Sequence, residues 1–217
     1  HSGGVDNIFP HHDDEIAQSE AATGKKFVHT WLHCAHLVVD GKKMSKKLGN
    51  FFTLRDLLQK GFSGREIRYQ LLSTHYRQTL NFTLDGLLGA RTALTRLDEF
   101  RERLTTGAAG AAAGALPAWA AAGREAFVAA LDQDLNMSEG LAALFDLVRA
   151  GNKALDAKAV DAGGAAAVLA LWNDLDRVLG ALQPAGDSVD PEVAELASQR
   201  QAARAAKNWK ESDRLRD

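Results

Sequence analysis

Apolar and polar positions divide this chain into three parts. In residues 1 to about 52, glycines, histidines and lysines surround one apolar, partly β-branched run. That run, residues 27–39, carries Phe27, Val28, Trp31, Leu37, Val38 and Val39 and stops at Asp40-Gly41, which predicts a strand ending in a turn. Ahead of it, residues 10–22 read as a helix, with Pro10 near its first turn and Asp13, Asp14 and Glu15 near its positive end. Residues 53–106 read as helical throughout. Ser63-Gly64-Arg65-Glu66 has the capping-box pattern, with Ile67, Tyr69, Leu71 and Leu72 on the expected buried face. Leu87, Leu88, Leu94 and Leu97 then recur at helical spacing. Residues 107–117 are mostly Ala and Gly, with little to pack, and read as a flexible connection. The third part, 118–217, shows helical spacing over 119–135, 138–155 and 164–182, then a loop over 183–189. Asp190-Pro191-Glu192 supplies a cap, a first-turn proline and an early acid for one more helix. The second and third parts together predict an antiparallel helical bundle.

Composition narrows the picture. The 217 residues suffice for one large or two modest domains. The chain opens His1-Ser2-Gly3-Gly4, without an initiator Met or the marks of a signal peptide, and reads as a fragment or processed chain. No apolar run is long enough to span a bilayer. A single cysteine, Cys34, excludes an internal disulfide framework and fits a reducing, cytoplasmic setting. With a net charge of −2, any RNA contact must come from local patches.

Three segments carry chemistry. On a helix His11 and Glu15 lie four residues apart, so they share a face and offer two ordinary zinc ligands, while His12 points elsewhere. An acidic first turn with solvated histidines beside it would look the same. Gly41 to Asn50 brackets Lys42, Lys43, Lys46 and Lys47 between glycines after a strand, a loop able to meet a polyphosphate or, as readily, to remain a solvated basic loop. Gly3 and Gly4 would let the backbone approach a ligand, and Asp6 could accept a ribose hydroxyl, although most such pairs are turns.

In combination these segments resemble one family. The order Gly3-Gly4-x-Asp6-x-x-Phe9-Pro10-His11-His12-x-x-Glu15, then Trp31-x-His33, then Lys43-Met44-Ser45-Lys46, resembles cysteinyl-tRNA synthetase, and Lys43 to Lys47 resembles the Lys-Met-Ser-Lys-Ser loop of class I aminoacyl-tRNA synthetases. The likeness continues through residues 71–77 and 132–136, and more weakly around 206–209. It implies the C-terminal piece of a Rossmann-type α/β catalytic domain over 1–52, connecting helices over 53–106, a linker over 107–117 and a tRNA-binding bundle over 118–217. It implies ATP, with Mg2+, as substrate, engaged by Lys46, with Lys43 as a second catalytic residue of the loop and Gly3, Gly4 and Asp6 on the adenosine side. A zinc ion would be held by His11, Glu15 and two cysteines lying upstream of His1; Cys34 falls on neither. The implied activity is attachment of cysteine to tRNA(Cys) by a cytoplasmic, monomeric enzyme, with this piece inactive alone. Lys47 stands where the family usually has Ser, Asp13-Asp14 replaces Glu-Asn, and Ser2 replaces a glycine. Arg65, Arg68, Arg77, Arg91, Arg101 and Arg103 are candidate phosphate contacts. A related ligase that joins cysteine to an amino sugar in mycothiol synthesis, and a non-catalytic RNA-binding fragment, are the competing readings.

Overall fold

The computed structural model describes residues 1–184, 195–196, 199–200, 202–204 and 208–214. They fall into two compact units, His1–Leu182 and Gln183–Asp217.

The first unit opens with β1 (Ser2–Gly4), two tight turns, α1 (Asp13–Thr23) and β2 (Leu32–Cys34). The two strands pair in parallel, Gly3 opposite His33, making a small βαβ unit. The helix begins at its acidic residues, three positions after Pro10, because residues 8–12 form a separate turn in which Phe9 is extended (φ −138°, ψ 133°). A residue preceding proline is pushed out of the helical region, and Phe9 precedes Pro10.

The run 27–39 is not one strand. Only β2 and β3 (Leu37–Val39) are extended, and they belong to different sheets. Between them the Ala35 N–H donates to the carbonyl of Tyr76 (2.8 Å), outside any ladder. Asp40 and Gly41 both take left-handed φ (50° and 72°). That is the hairpin turn expected of Asp-Gly, and it returns the chain as β4 (Lys42–Lys43), antiparallel to β3.

Residues 53–106 are helical with two interruptions, at 60–63 and 73–83. The short α2 (Leu54–Gln59) and α3 (Gly64–Leu72) each start on a complete capping box, from Thr53 with Asp56 and from Ser63 with Glu66. Next comes β5 (Leu80–Phe82), parallel to β3, and only then the long α4 (Leu84–Ala108). Leu80 and Phe82 flank Asn81, whose side-chain carbonyl accepts from the Gly41 N–H across the sheet (2.8 Å). Three residues of alternation are too few to stand out against helical patterns on either side.

Helix α4 buries Leu87, Ala90, Leu94, Leu97, Phe100, Leu104 and Ala108, a stripe at spacings of three and four. Leu88 falls a hundred degrees off that stripe and is half-exposed, as is Leu71 on α3. Ile67 is buried as expected, Tyr69 and Leu72 are partly buried against the bundle core, and Glu66 and Gln70 turn inward as well. With α5 (Ala118–Asp132), α6 (Met137–Asp156) and α7 (Ala162–Leu179), α4 forms the bundle, and Phe100 meets Trp172 edge-on at its centre (ring centroids 5.4 Å, 64°). A smaller core of Val39, Leu57, Ile67, Phe82 and Leu87 lies beneath the sheet. Two glycines set how near the bundle's side chains come: a Cβ at Gly123 would stand 2.8 Å from Leu147, and one at Gly151 would stand 2.5 Å from Phe100 and 2.9 Å from Trp119. At Gly89, on the exposed side of α4, a Cβ would meet nothing.

Gly107 and Ala108 of the Ala/Gly segment still belong to α4; beyond them it is irregular, yet Gly114 N–H donates to Gly163 O (2.9 Å) at the start of α7, so it is tied to the bundle. In the second unit, α8 (Trp209–Arg214) is closed by an Arg214–Glu211 ion pair (2.6 Å). The helix start expected at Asp190-Pro191-Glu192 lies outside the described residues.

Glu66 shows how buried polarity is managed. One carboxylate oxygen accepts from the Ser63 N–H (2.7 Å), the other from Arg91 Nε (2.5 Å), and Arg91 also donates to Gly61 O (2.8 Å). The Arg91 hydrogen bond, then that from Ser63, holds the Glu66 carboxyl below the ordinary range. A carboxylate depressed in the folded state stabilises the fold above its ordinary pKa, and the contribution is lost as pH falls through the lowered value. Glu66→Gln should therefore cost about 1–3 kcal/mol at neutral pH. Its penalty should shrink toward acid; denaturant titrations at several pH values measure this, and a penalty independent of pH would contradict it.

Candidate active site

The βαβ unit gathers the histidines and one carboxylate. His12 closes the turn after β1 and is buried; its Nδ1 lies 2.8 Å from Nε2 of His33 on β2. Its ring lies 5.0 Å from that of His1 and 4.9 Å from that of Trp31. Glu15, in the first turn of α1, places Oε2 3.0 Å from His1 Nε2 and Oε1 3.8 Å from His11 Nε2. Helical spacing pairs His11 with Glu15 and turns His12 away. The structure keeps the first pairing, with His11 65% exposed, but turns His12 inward. Because α1 starts only at Asp13, His12 is the residue that caps it, three before Glu15 and on the same side. His1, His12 and Glu15 each bring a ligand atom within 4.8 Å of the others. The Glu15 Oε2 atom is shut off from solvent and has His1 Nε2 as its near neighbour, so this carboxylate oxygen and the imidazole nitrogens converge as a cation's ligands would. Cys34, exposed at the end of β2, is not among the ligand atoms that converge here.

Gly3 and Gly4 occupy β1 itself. A Cβ on Gly3 would collide with His12 Cε1 (2.8 Å) and Asn7 Nδ2 (2.9 Å), and one on Gly4 with the Asp6 carboxylate. In this structure the missing side chains make room for the site's own residues, and Asp6 lies folded over the glycine backbone.

The lysine loop follows the β3–β4 hairpin. Lys43 ends β4, and Lys46 and Lys47 sit in a single 3-10 turn closed by Gly49 (φ 66°). The loop has an internal staple: Asn50 accepts from the Ser45 N–H (2.8 Å) and donates to Lys43 O (3.1 Å), while Ser45 Oγ accepts from the Lys47 N–H (3.2 Å). The Lys46 ammonium rests over the Phe51 ring, 5.4 Å from its centroid, and is otherwise exposed. Sequence reading missed Asn50; a Gly-Asn pair closing a lysine loop was the available signal. Exposed ammonium groups on a stapled, glycine-ended loop can meet a polyanion.

The arginines are engaged within the fold. Arg65 forks onto Asp98 (2.7 and 2.5 Å) and donates to Ala181 O (2.6 Å), and Arg68 donates to Leu179 O (2.5 Å), so α3 is fastened to the carbonyl end of α7. Arg91 holds Glu66, Arg103 holds Asn152 and Asp156, and Arg77 holds Asp134. Arg101 is half-buried. Arg65, Arg68, Arg77, Arg91 and Arg103 thus hold named groups within the fold, which spacing could not disclose.

Residues 1–92 match the family of tRNA synthetases class I (C) catalytic domains, and residues 126–183 match the DALR domain family. The chain is 49% identical over 234 residues to a cysteine–tRNA ligase of Chlamydia muridarum, covering 100% of this chain and 48% of that protein. It is 47% identical over 219 residues to one of Protochlamydia amoebophila, covering 100% of this chain and 46% of that one. The chain therefore spans about half the length of the curated relatives it matches. Among solved structures, the ternary complex of Agrobacterium radiobacter K84 agnB2 LeuRS with tRNA and LeuAMS superposes with a TM-score of 0.66 at 18% identity, over 83% of this chain and 26% of that one, a likeness of fold.

Proposed function

The chain belongs to the cysteine–tRNA ligase family, and from that premise we propose that it supplies one half of an enzyme that activates cysteine with Mg2+-bound ATP and transfers it to tRNA(Cys). Glu15 carries the reading: its buried oxygen lies 3.0 Å from His1 Nε2, and its other oxygen faces His11 at 3.8 Å. His11 and Glu15 would hold a zinc ion together with two cysteines contributed by the upstream half. Zinc, when bound, supplies a soft Lewis acid that takes a thiolate in preference to a serine hydroxyl. His12, buried between Trp31 and His33, walls that site and excludes water from it. Lys43 and Lys46 neutralise charge on the departing pyrophosphate, with Asn50 holding the loop that presents them. Gly3, Gly4 and Asp6 bound the adenosine side. The bundle lies along the tRNA and delivers its terminal ribose. The enzyme works in the cytoplasm as a monomer; among the described residues no helix is long and apolar enough to cross a membrane. The chain by itself holds half of the zinc ligands and does not form the adenylate.

The deciding experiment measures zinc content and cysteine-dependent ATP–pyrophosphate exchange in a protein completed with the relatives' upstream half. Both should be present, and His11→Ala and Glu15→Ala should each lower bound zinc and exchange tenfold or more, on the order of an outer-shell loss or greater. Full zinc occupancy in both variants, or exchange without zinc, would overturn the assignment.

A further inference from the structure

Resting on that reading, we propose that Tyr76, Arg77 and Asp134 form a positioning latch that holds the α5–α6 end of the bundle against the βαβ unit, and that it governs transfer to tRNA without affecting cysteine activation.

The contact joins two segments 57 residues apart in sequence. Asp134 accepts from the Tyr76 hydroxyl (2.5 Å), from Arg77 Nε (2.5 Å) and from Arg77 Nη2 (3.3 Å). The Arg77 guanidinium lies over the Tyr76 ring (5.1 Å), and His75 stacks on its neighbour Tyr76 (4.9 Å). The two hydrogen-bond partners, Arg77 foremost, hold the Asp134 carboxyl below the ordinary range, so it is charged at working pH.

Each end of the latch is tied to something that matters. On one side the Tyr76 carbonyl takes the Ala35 N–H (2.8 Å), and Ala35 follows directly on β2, whose His33 holds His12. On the other, Asp134 and Leu135 form the turn between α5 and α6, and both are non-glycine residues with left-handed φ (56° and 54°). Such residues carry an intrinsic cost and persist where surrounding contacts dictate them, often at functional places. A second tether, Ser138 Oγ to Ser73 O (3.0 Å), runs parallel to the first.

Stability does not account for this arrangement. Arg77 and Asp134 are 63% and 50% exposed, and ion pairs so placed contribute little to folding. Two adjacent strained residues would be a poor return for a surface pair. What the pair does fix is the place of the bundle's end relative to the strand behind the candidate site. Activation needs only cysteine and ATP, both held on the catalytic side. Transfer additionally needs the tRNA, held by the bundle, to bring its terminal ribose to the adenylate, and a displacement near 1 Å there can cost up to a hundredfold.

The test compares ATP–pyrophosphate exchange with tRNA charging in the completed ligase for Asp134→Ala, Arg77→Ala, the double variant and Tyr76→Phe. Expected are exchange rates within about twofold of the parent and charging kcat/KM lower by about ten- to a hundredfold. The double variant should be no worse than either single one, as members of one unit behave. Unchanged charging, or exchange and charging falling together with a lowered Tm, would overturn the latch while leaving the ligase reading intact. Absence of exchange in the unsubstituted ligase would instead sink the ligase reading, and the latch with it.

Discussion

Lys46→Ala in the completed ligase is expected to lower cysteine-dependent pyrophosphate exchange by about two to three orders of magnitude, the range seen when one preorganised donor to a developing anion is removed. The ammonium is exposed and rests over the face of Phe51, so its loss should leave the fold undisturbed. The loop is held by Asn50 and Ser45, neither of which depends on Lys46's side chain. Lys46→Arg should recover only part of the rate, because a planar fork cannot follow a moving phosphate as a compact ammonium does. Exchange rates with a circular dichroism control measure this. A loss under threefold for Lys46→Ala would remove Lys46 from the chemistry and leave the loop a solvated basic surface.

Trp172→Ala should destabilise the first unit by about 3–5 kcal/mol, as large-to-small changes of buried aromatics do. The indole is fully buried at the bundle centre, with its edge on Phe100. Its Nε1 has no hydrogen-bond partner, so truncation removes apolar contact without orphaning a polar neighbour. Trp172→Phe should accordingly cost much less than the alanine change. At this chain length the alanine variant should melt on the order of 10 °C lower. Thermal unfolding measures it; a fall of a degree or two would mean the cavity collapses freely and the core is not organised around this residue.

How far the sequence discloses the fold depends on whether the deciding force is local. Capping boxes at Ser63 and the left-handed turn at Asp40-Gly41 are settled within four residues and were legible. The strand Leu80–Phe82 exists because β3 lies beside it, a partner more than forty residues away, and no local pattern announces that. Leu71 and Leu88 read as core because leucine usually is, whereas the facing surfaces select Gln70 and Leu87. The site behaves likewise. Its residue types were legible through combined motifs, but the inward turn of His12 follows from an extended Phe9 and a delayed helix start. The arginines were the least legible, because their partners Asp98, Asp134 and Asp156 are distant in sequence.

The glycines at 123 and 151 have a further consequence, for how such a chain drifts and is engineered. In an alanine-rich sequence, a helical glycine is one step from the best helix former, and the exchange by itself favours the helix by about 1 kcal/mol. At Gly89 nothing opposes that gain. At Gly123 and Gly151 the added carbon would stand 2.8 Å from Leu147 and 2.5 Å from Phe100, and it would wedge neighbouring helices apart. A consensus or propensity-guided redesign would score the three positions alike. The bundle tells them apart, since two of its seams are closed by atoms that are not there.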